Sequence, residues 1–345
     1  MATKIQNHKM MYRILALIFS LLPLVVFGNL QSPELQSFPQ DSVLKGKIIC
    51  IDAGHGGTAK TDHYRVGKAG EREEWINLRV ALALEKMLQA RGAIVLMSRR
   101  TDENVSFESR IKLAVNQKAD VFISIHHNST ADSTLNYPIA FYHGNASENT
   151  ASIKLGKIFL QQIANQLYEE SPPKVLVSDH LVYPGSGTAV LRGTYGIPGI
   201  IGEASFFSNR REEQKLKTKE YNLLEASAYV RTLELFFSEE IPPIQKVYSS
   251  GKIESLKAFQ LKRKITVNPM LWMSNYSRAQ ELLKDDLRSS QEEAFNLLLQ
   301  SIISFPNSPI AHKCLEQLVK LSPSIEPQFT EQLKKQLAEY YSIID

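Results

Sequence analysis

Lys47-Ile48-Ile49-Cys50-Ile51-Asp52-Ala53-Gly54-His55-Gly56-Gly57 runs from a short apolar segment straight into a glycine-rich loop. An apolar run this short, bounded by a turn signal, predicts a buried strand. Beyond the loop, Ile76, Val80, Leu84, Met87 and Leu88 recur at helical spacing on one face, so residues 73 to 91 read as a helix stopped by Gly92. Ala93 to Met97 is a second strand, Ser106 to Asn116 a helix, and Val121 to Ile125 a third strand. Short apolar strands alternating with helices predict an α/β fold, a twisted and mostly parallel sheet flanked by helices on both faces.

The alternation continues outward. Ile139 to Tyr142 reads as a strand, Thr150 to Tyr168 as a helix, Gly199 to Gly202 as a buried strand and Tyr221 to Phe237 as a closing helix. Composition shifts at Ser238-Glu239-Glu240-Ile241-Pro242-Pro243, which places a boundary there. Residues 46 to 240 form the α/β domain, and residues 241 to 345 an all-helical C-terminal appendage without a strand signal. Within it, Gln291 to Phe305 and Ile310 to Leu321 flank a Pro-Asn-Ser-Pro turn. This hairpin resembles a single tetratricopeptide-type unit, and a plain helical bundle fits as well.

At the other end, Lys4, Lys9 and Arg13 precede an apolar run from Ile14 to Phe27, short for a membrane span and right for a signal peptide. Val26 and Gly28 suit the -3 and -1 positions of a cleavage site, giving a signal peptide over 1 to 28 and a polar linker over 29 to 45. A retained anchor is the alternative; on either reading the remainder is exported, and cleavage leaves no stable membrane span. The net charge of +4 falls to +1 once that segment is set aside, so nucleic acid is not implied. Cys50 and Cys314, widely spaced and in apolar contexts, read as two buried thiols.

Four residues carry the chemistry: His55, Glu73, His126 and Glu203. In an open parallel sheet, functional groups gather at the carboxyl ends of the strands. His55 follows the first strand, His126 and Glu203 end two others, and Glu73 opens the helix that begins on the same edge. Two imidazoles and one carboxylate suit a catalytic zinc, which keeps an open position and lowers the pKa of a water toward about 7. Glu203 is then left to take a proton and pass it to a leaving amine. Asn77, one helical turn after Glu73, is placed to steady its carboxylate. Glu74 competes with Glu73 for the metal, and the spacing to Asn77 favours Glu73. His127 points away from His126 and reads as structural. His63, His143, His180 and His312 read as surface or local hydrogen-bonding residues.

Residues 46 to about 238 resemble the zinc-dependent N-acetylmuramoyl-L-alanine amidases of the Amidase_3 class. The motifs that carry the resemblance are Asp52-Ala53-Gly54-His55-Gly56-Gly57, Glu73-Glu74-Trp75-Ile76-Asn77-Leu78, Ser98-Arg99-Arg100-Thr101-Asp102, Arg110 with Ala114 and Asn116, Ser124-Ile125-His126-His127-Asn128, and Glu203 through Asn209 with Glu212. The resemblance implies one Zn2+ on His55, Glu73 and His126, with Glu203 as acid and base. It also implies cleavage of the bond between N-acetylmuramic acid and the L-alanine of the stem peptide, in cell-wall remodelling or daughter-cell separation. Arg192 in Val190-Leu191-Arg192-Gly193 and Asn128 are candidate substrate-binding residues. The chain departs from the pattern at Glu74 in place of Lys, at Ser205 in place of Gly, at His127 in place of a small residue, and in the spacing after Arg110. The stretch from His126 to Glu203 is too short for the inhibitory helix of some division amidases.

The expected partner is peptidoglycan, in the periplasm or cell envelope. The C-terminal helices are expected to recruit a protein partner or to shape access to the wall, and their removal to leave turnover of soluble muropeptides largely intact. Two other readings stand beside this one. One is a zinc peptidase acting on another exported peptide; the other is a wall-binding scaffold with a degenerate metal site.

Overall fold

In chain order the elements are β1 (Ile48–Ala53), α1 (Glu73–Gln89), β2 (Ile94–Met97), α2 (Phe107–Asn116), β3 (Val121–Asn128), β4 (Ile139–Tyr142), α3 (Thr150–Leu167), β5 (Val175–Ser178), α4 (Ala189–Gly193), β6 (Gly199–Phe206), α5 (Arg210–Leu216) and α6 (Lys219–Phe237). Then come α7 (Leu256–Arg263), α8 (Trp272–Leu282), α9 (Arg288–Ser304), α10 (Ala311–Ile325), α11 (Thr330–Tyr340) and the two-residue β7 (Tyr341–Ser342). This computed structural model describes residues 42–246, 253–342 and 344; the signal segment and most of the linker lie outside the described residues. No helix among the described residues is long and apolar enough to cross a membrane.

The strands form one sheet in the order β2-β1-β3-β6-β4-β5-β7. β2, β1, β3 and β6 run parallel, as do β4 and β5, whereas β4 lies antiparallel to β6 and β7 antiparallel to β5. Side chains alternate between the two faces of a strand, and the alternation separates two cores. Ile49, Ile51, Val121, Ile123 and Ile200 pack with Val80, Leu84, Leu155, Phe159 and Tyr229 of α1, α3 and α6. Cys50, Phe122, Phe141, Val177 and Ile201 pack instead with Ala114 of α2, with Leu191 of α4 and with the C-terminal helices through Leu256, Phe295, Leu298 and Leu333.

The C-terminal region is helical, as the sequence predicts, but it also supplies the edge strand β7. The described residues form one compact unit. The shift near residue 240 is therefore a change in composition within a shared core. β7 escapes the sequence because two residues carry no period-2 signal, and its pairing with β5 is a long-range event.

Two strands run further than their apolar cores. β3 continues through His126 to Asn128, and β6 through Glu203 to Phe206. His126 and Glu203 are therefore rungs of the sheet, where the sequence places them at strand ends: they pair with each other, and Glu203 pairs with Ile139 of β4 on its other side. Both cysteines are buried and free, and burial pushes each thiol up to about 12.

Candidate metal centre

Asp52 on β1 and Ser124 on β3 stand in register, and so do Ser124 and Ile201 on β6. Asp52 is fully buried between Ser124 Oγ, which donates to its Oδ2 over 2.8 Å, and the Arg110 guanidinium, in close contact with its Oδ1. The same guanidinium donates to Ala53 O at 2.9 Å and to His55 O at 2.7 Å. Arg99 adds bonds to Ala53 O at 2.8 Å, Gly54 O at 2.9 Å and Glu74 O at 2.7 Å. Two arginines thus clamp every carbonyl of the turn that delivers His55. They have work to do, because His55 holds φ at +59°, a left-handed conformation that costs an ordinary residue about 1–2 kcal/mol.

That turn sets the His55 ring against Glu73, with Nε2 at 3.2 Å from Glu73 Oε1. His126 Nδ1 reaches the same oxygen at 2.9 Å. The rings of His55 and His126 meet edge to face, with centroids 4.7 Å apart. Gly54 makes room, since a Cβ there would stand 2.3 Å from His126 Nε2. Ligand atoms about 2.0–2.2 Å from a tetrahedral zinc lie roughly 3.3 Å from one another. The two separations from Glu73 Oε1 are close to that spacing and all three ligand atoms lie within 4.8 Å of one another, so the donor set can hold a single metal ion such as zinc.

Glu73 is buried at the start of α1, where a carboxylate is favoured by the helix dipole. Asn77 Nδ2 lies 3.4 Å from Glu73 Oε1 and donates to Gly54 O at 3.2 Å. Asn77 Oδ1 in turn meets His127 Nδ1 at 2.9 Å, and His127 Nε2 meets Glu225 Oε2 at 3.0 Å. This buried chain from α6 to the site explains why a histidine occupies position 127 on the far face of the strand. Burial opposes the charge on Glu73, but His55 and His126 outweigh it and hold the carboxyl well below its usual range. Glu74 faces elsewhere. Its Oε1 accepts from Arg72 Nε at 2.6 Å and from Thr58 Oγ1 at 3.3 Å.

Glu203 stands on the rung beside His126. Its Oε2 is buried and has no hydrogen-bond partner among the described residues. Burial, reinforced by the charge of Glu73, pushes this carboxyl up to about 7 against the opposing pull of His126 and His127. A carboxyl poised there can hold or release a proton at neutral pH.

All four residues line one cleft of about 1240 Å³. Asn128 and Arg192 line it too. Asn128 Oδ1 accepts from Ser129 N at 2.7 Å, and Arg192 Nη1 donates to Ser186 O at 2.8 Å and Gly187 O at 3.2 Å. Of the motif residues at the end of β6, Ser208 accepts from Thr130 N at 3.1 Å, and Asn209 caps α5 through Arg211 N and Glu212 N. Glu212 receives Asn136 and Tyr221. These side chains fix the loops around the cleft.

The model match covers residues 49–234 and is described as N-acetylmuramoyl-L-alanine amidase, Amidase_3. The chain belongs to this amidase family. Among its relatives, the germination-specific N-acetylmuramoyl-L-alanine amidase of Bacillus subtilis is 29% identical over 232 residues, covering 63% of this chain and 89% of that one. The uncharacterized protein YqiI of the same organism is 31% identical over 203 residues, covering 57% and 87%. The solved catalytic domain of CwlV, an N-acetylmuramoyl-L-alanine amidase from Bacillus (Paenibacillus) polymyxa var. colistinus, is 26% identical, with a TM-score of 0.47 over 56% of this chain and 99% of that one. The amidase acts on peptidoglycan.

A second cluster was missed by sequence reasoning. His143 directly follows β4 and is buried, and with Asp179 and His180 it forms a second group of possible ligands in the amidase. The signal was available in its position after Ile139 to Tyr142. Asp179 already accepts from Thr188 N at 2.7 Å, from Thr188 Oγ1 at 2.8 Å and meets His143 Nδ1 at 3.0 Å. That use of the carboxylate makes the group an anchor for the loop from 179 to 188, which forms one wall of the cleft.

Proposed function

We propose that the amidase cuts the bond between N-acetylmuramic acid and L-alanine with one zinc ion on His55, Glu73 and His126, and that Glu203 carries the proton. The convergence of three ligand atoms beside a buried, unpartnered carboxyl supports this reading. A bound zinc supplies Lewis-acid charge and an acidified water at neutral pH. Glu203, whose carboxyl burial pushes up to about 7, takes a proton from the attacking water and returns it to the leaving amine of alanine. Gly54 keeps the floor of the site open, and Arg99 and Arg110 hold the His55 turn against its strain. Asn128 and Arg192 would bind substrate groups along the cleft.

Residues 46 to 240 would then carry the catalytic groups, and residues 1 to 28 would direct export to the periplasm or cell envelope, where peptidoglycan lies. Digestion of purified sacculi tests the reading. Mass spectrometry should find free stem peptides beginning with L-alanine alongside intact glycan, with loss of release on chelation and recovery with Zn2+. Cleavage within the peptide, with alanine still attached to the glycan, would make the protein a peptidase instead.

A further inference from the structure

We infer that the C-terminal helices complete the substrate cleft and add a carboxylate-binding subsite in which Lys257 is the cation. The cleft that holds His55, Glu73, His126 and Glu203 is also lined by Lys257 of α7 and by Ile303 to Asn307 at the end of α9. These residues lie outside the matched segment of 49–234. The inference rests on the amidase reading and extends it to the peptide beyond the scissile bond.

The C-terminal wall is built rather than draped. Tyr341 Oη donates to Pro306 O at 2.8 Å, and Tyr137 Oη donates to Asn307 O at 3.3 Å. Tyr137 packs on Phe206 of β6, with ring centroids 4.8 Å apart, three residues along the strand from Glu203. Trp272 meets Phe305 edge to face at 5.4 Å. The turn after α9 is thus tied to the same strand that carries the proton-transfer residue.

Charge then picks out Lys257. Among the other charged groups lining the cleft, Asp52 pairs with Arg110, Arg65 with Asp62, and Glu73 with the two histidines. Glu203 lies beside His126, and Arg192, the other cation of the cleft without an acidic partner, is held through Nη1 by two backbone carbonyls. The Lys257 ammonium is exposed and has no acidic partner among the described residues. A cleft of about 1240 Å³ exceeds the roughly 300–1,000 Å³ of ordinary small-molecule sites, leaving room for residues beyond the scissile amide. An unneutralised lysine on a flexible stem suits a carboxylate of such a peptide, whose position varies with the residue bearing it.

The test uses the full-length, zinc-loaded protein and two synthetic muramoyl peptides, one with free carboxylates on the stem beyond alanine and one with those groups amidated. The wild type should favour the free acid by about fivefold in kcat/KM, mostly through KM, the scale of one solvated ion pair. Lys257→Gln should bring the ratio toward one, and Lys257→Arg should keep most of it. A wild type with no preference, or a Lys257→Gln protein with the full preference, overturns the subsite. Failure of the wild type to release peptide from either substrate overturns the amidase reading itself, and the subsite with it.

Discussion

His126 and Glu203 stand opposite each other across the parallel pair of β3 and β6, on the last regular rung before a bulge. Register partners in a parallel pair point to the same face. The distance from the imidazole to the Glu203 carboxyl is therefore set by backbone pairing, with no loop between them. On the proposed mechanism, Glu203→Gln removes the proton transfer and leaves the rung intact. It should lower kcat by about 10²–10⁴-fold while zinc content, measured by elemental analysis, stays at one ion per chain. Retention of wild-type turnover would remove Glu203 from the mechanism.

Glu73 and Glu74 should separate cleanly. Glu73 Oε1 touches both histidines, whereas Glu74 is fully buried against Arg72. Glu73→Gln should lose zinc with modest change in fold. Glu74→Gln should keep zinc yet lose stability, because breaking a buried ion pair costs about 3–5 kcal/mol. Metal analysis and thermal melting of the two proteins read these outcomes directly. Zinc loss in Glu74→Gln alone would exchange their roles.

Much of this site is legible in the sequence because its cues are local. The four-residue step from Glu73 to Asn77 is a property of one helix, and the observed bond to the Glu73 carboxylate follows from it. The apolar runs at Ile48, Val121 and Gly199 fix strands and so bring their distant ends together. What is not legible depends on partners far away in the chain. The extension of β3 and β6 past their apolar cores comes from pairing with each other, and the antiparallel insertion of β4 beside β6 has no local signature. Arg99 and Arg110 stand in visible motifs, but nothing in the spacing reveals that both spend their guanidinium groups on the carbonyls of the His55 turn.

Acid should unfold the protein partly through Asp52. Burial alone would raise this carboxyl, but Arg110, aided by the Ser124 hydroxyl, lowers it below the usual carboxylate value. A group with a depressed folded pKa contributes stability that is complete above its unfolded pKa, about 4, and is lost as pH falls through the lower folded value. Asp52→Asn should therefore cost about 3–5 kcal/mol at pH 7, and the gap should close below pH 4. Denaturant melts at several pH values give the comparison; a gap that persists at low pH would assign the cost to packing instead of charge.

Removal of residues 245 to 345 provides the sharpest contrast between sequence and structure. Composition marks this region as separable, which leads one to expect that muropeptide turnover survives without it. The packing argues otherwise. Phe141, Val177 and Ile201 of the sheet share a core with Phe295, Leu298 and Leu333, and β7 covers the edge of β5. Truncation would expose that apolar face and an unpaired strand edge, both of which favour aggregation. The truncated chain should thus be poorly soluble and turn over soluble muropeptides at least tenfold more slowly than the full chain, by the loss of about 1.4 kcal/mol or more of transition-state stabilisation. Size-exclusion chromatography together with peptide-release assays reads both properties. A soluble, monomeric and fully active truncation would return the C-terminal helices to the status of an independent module.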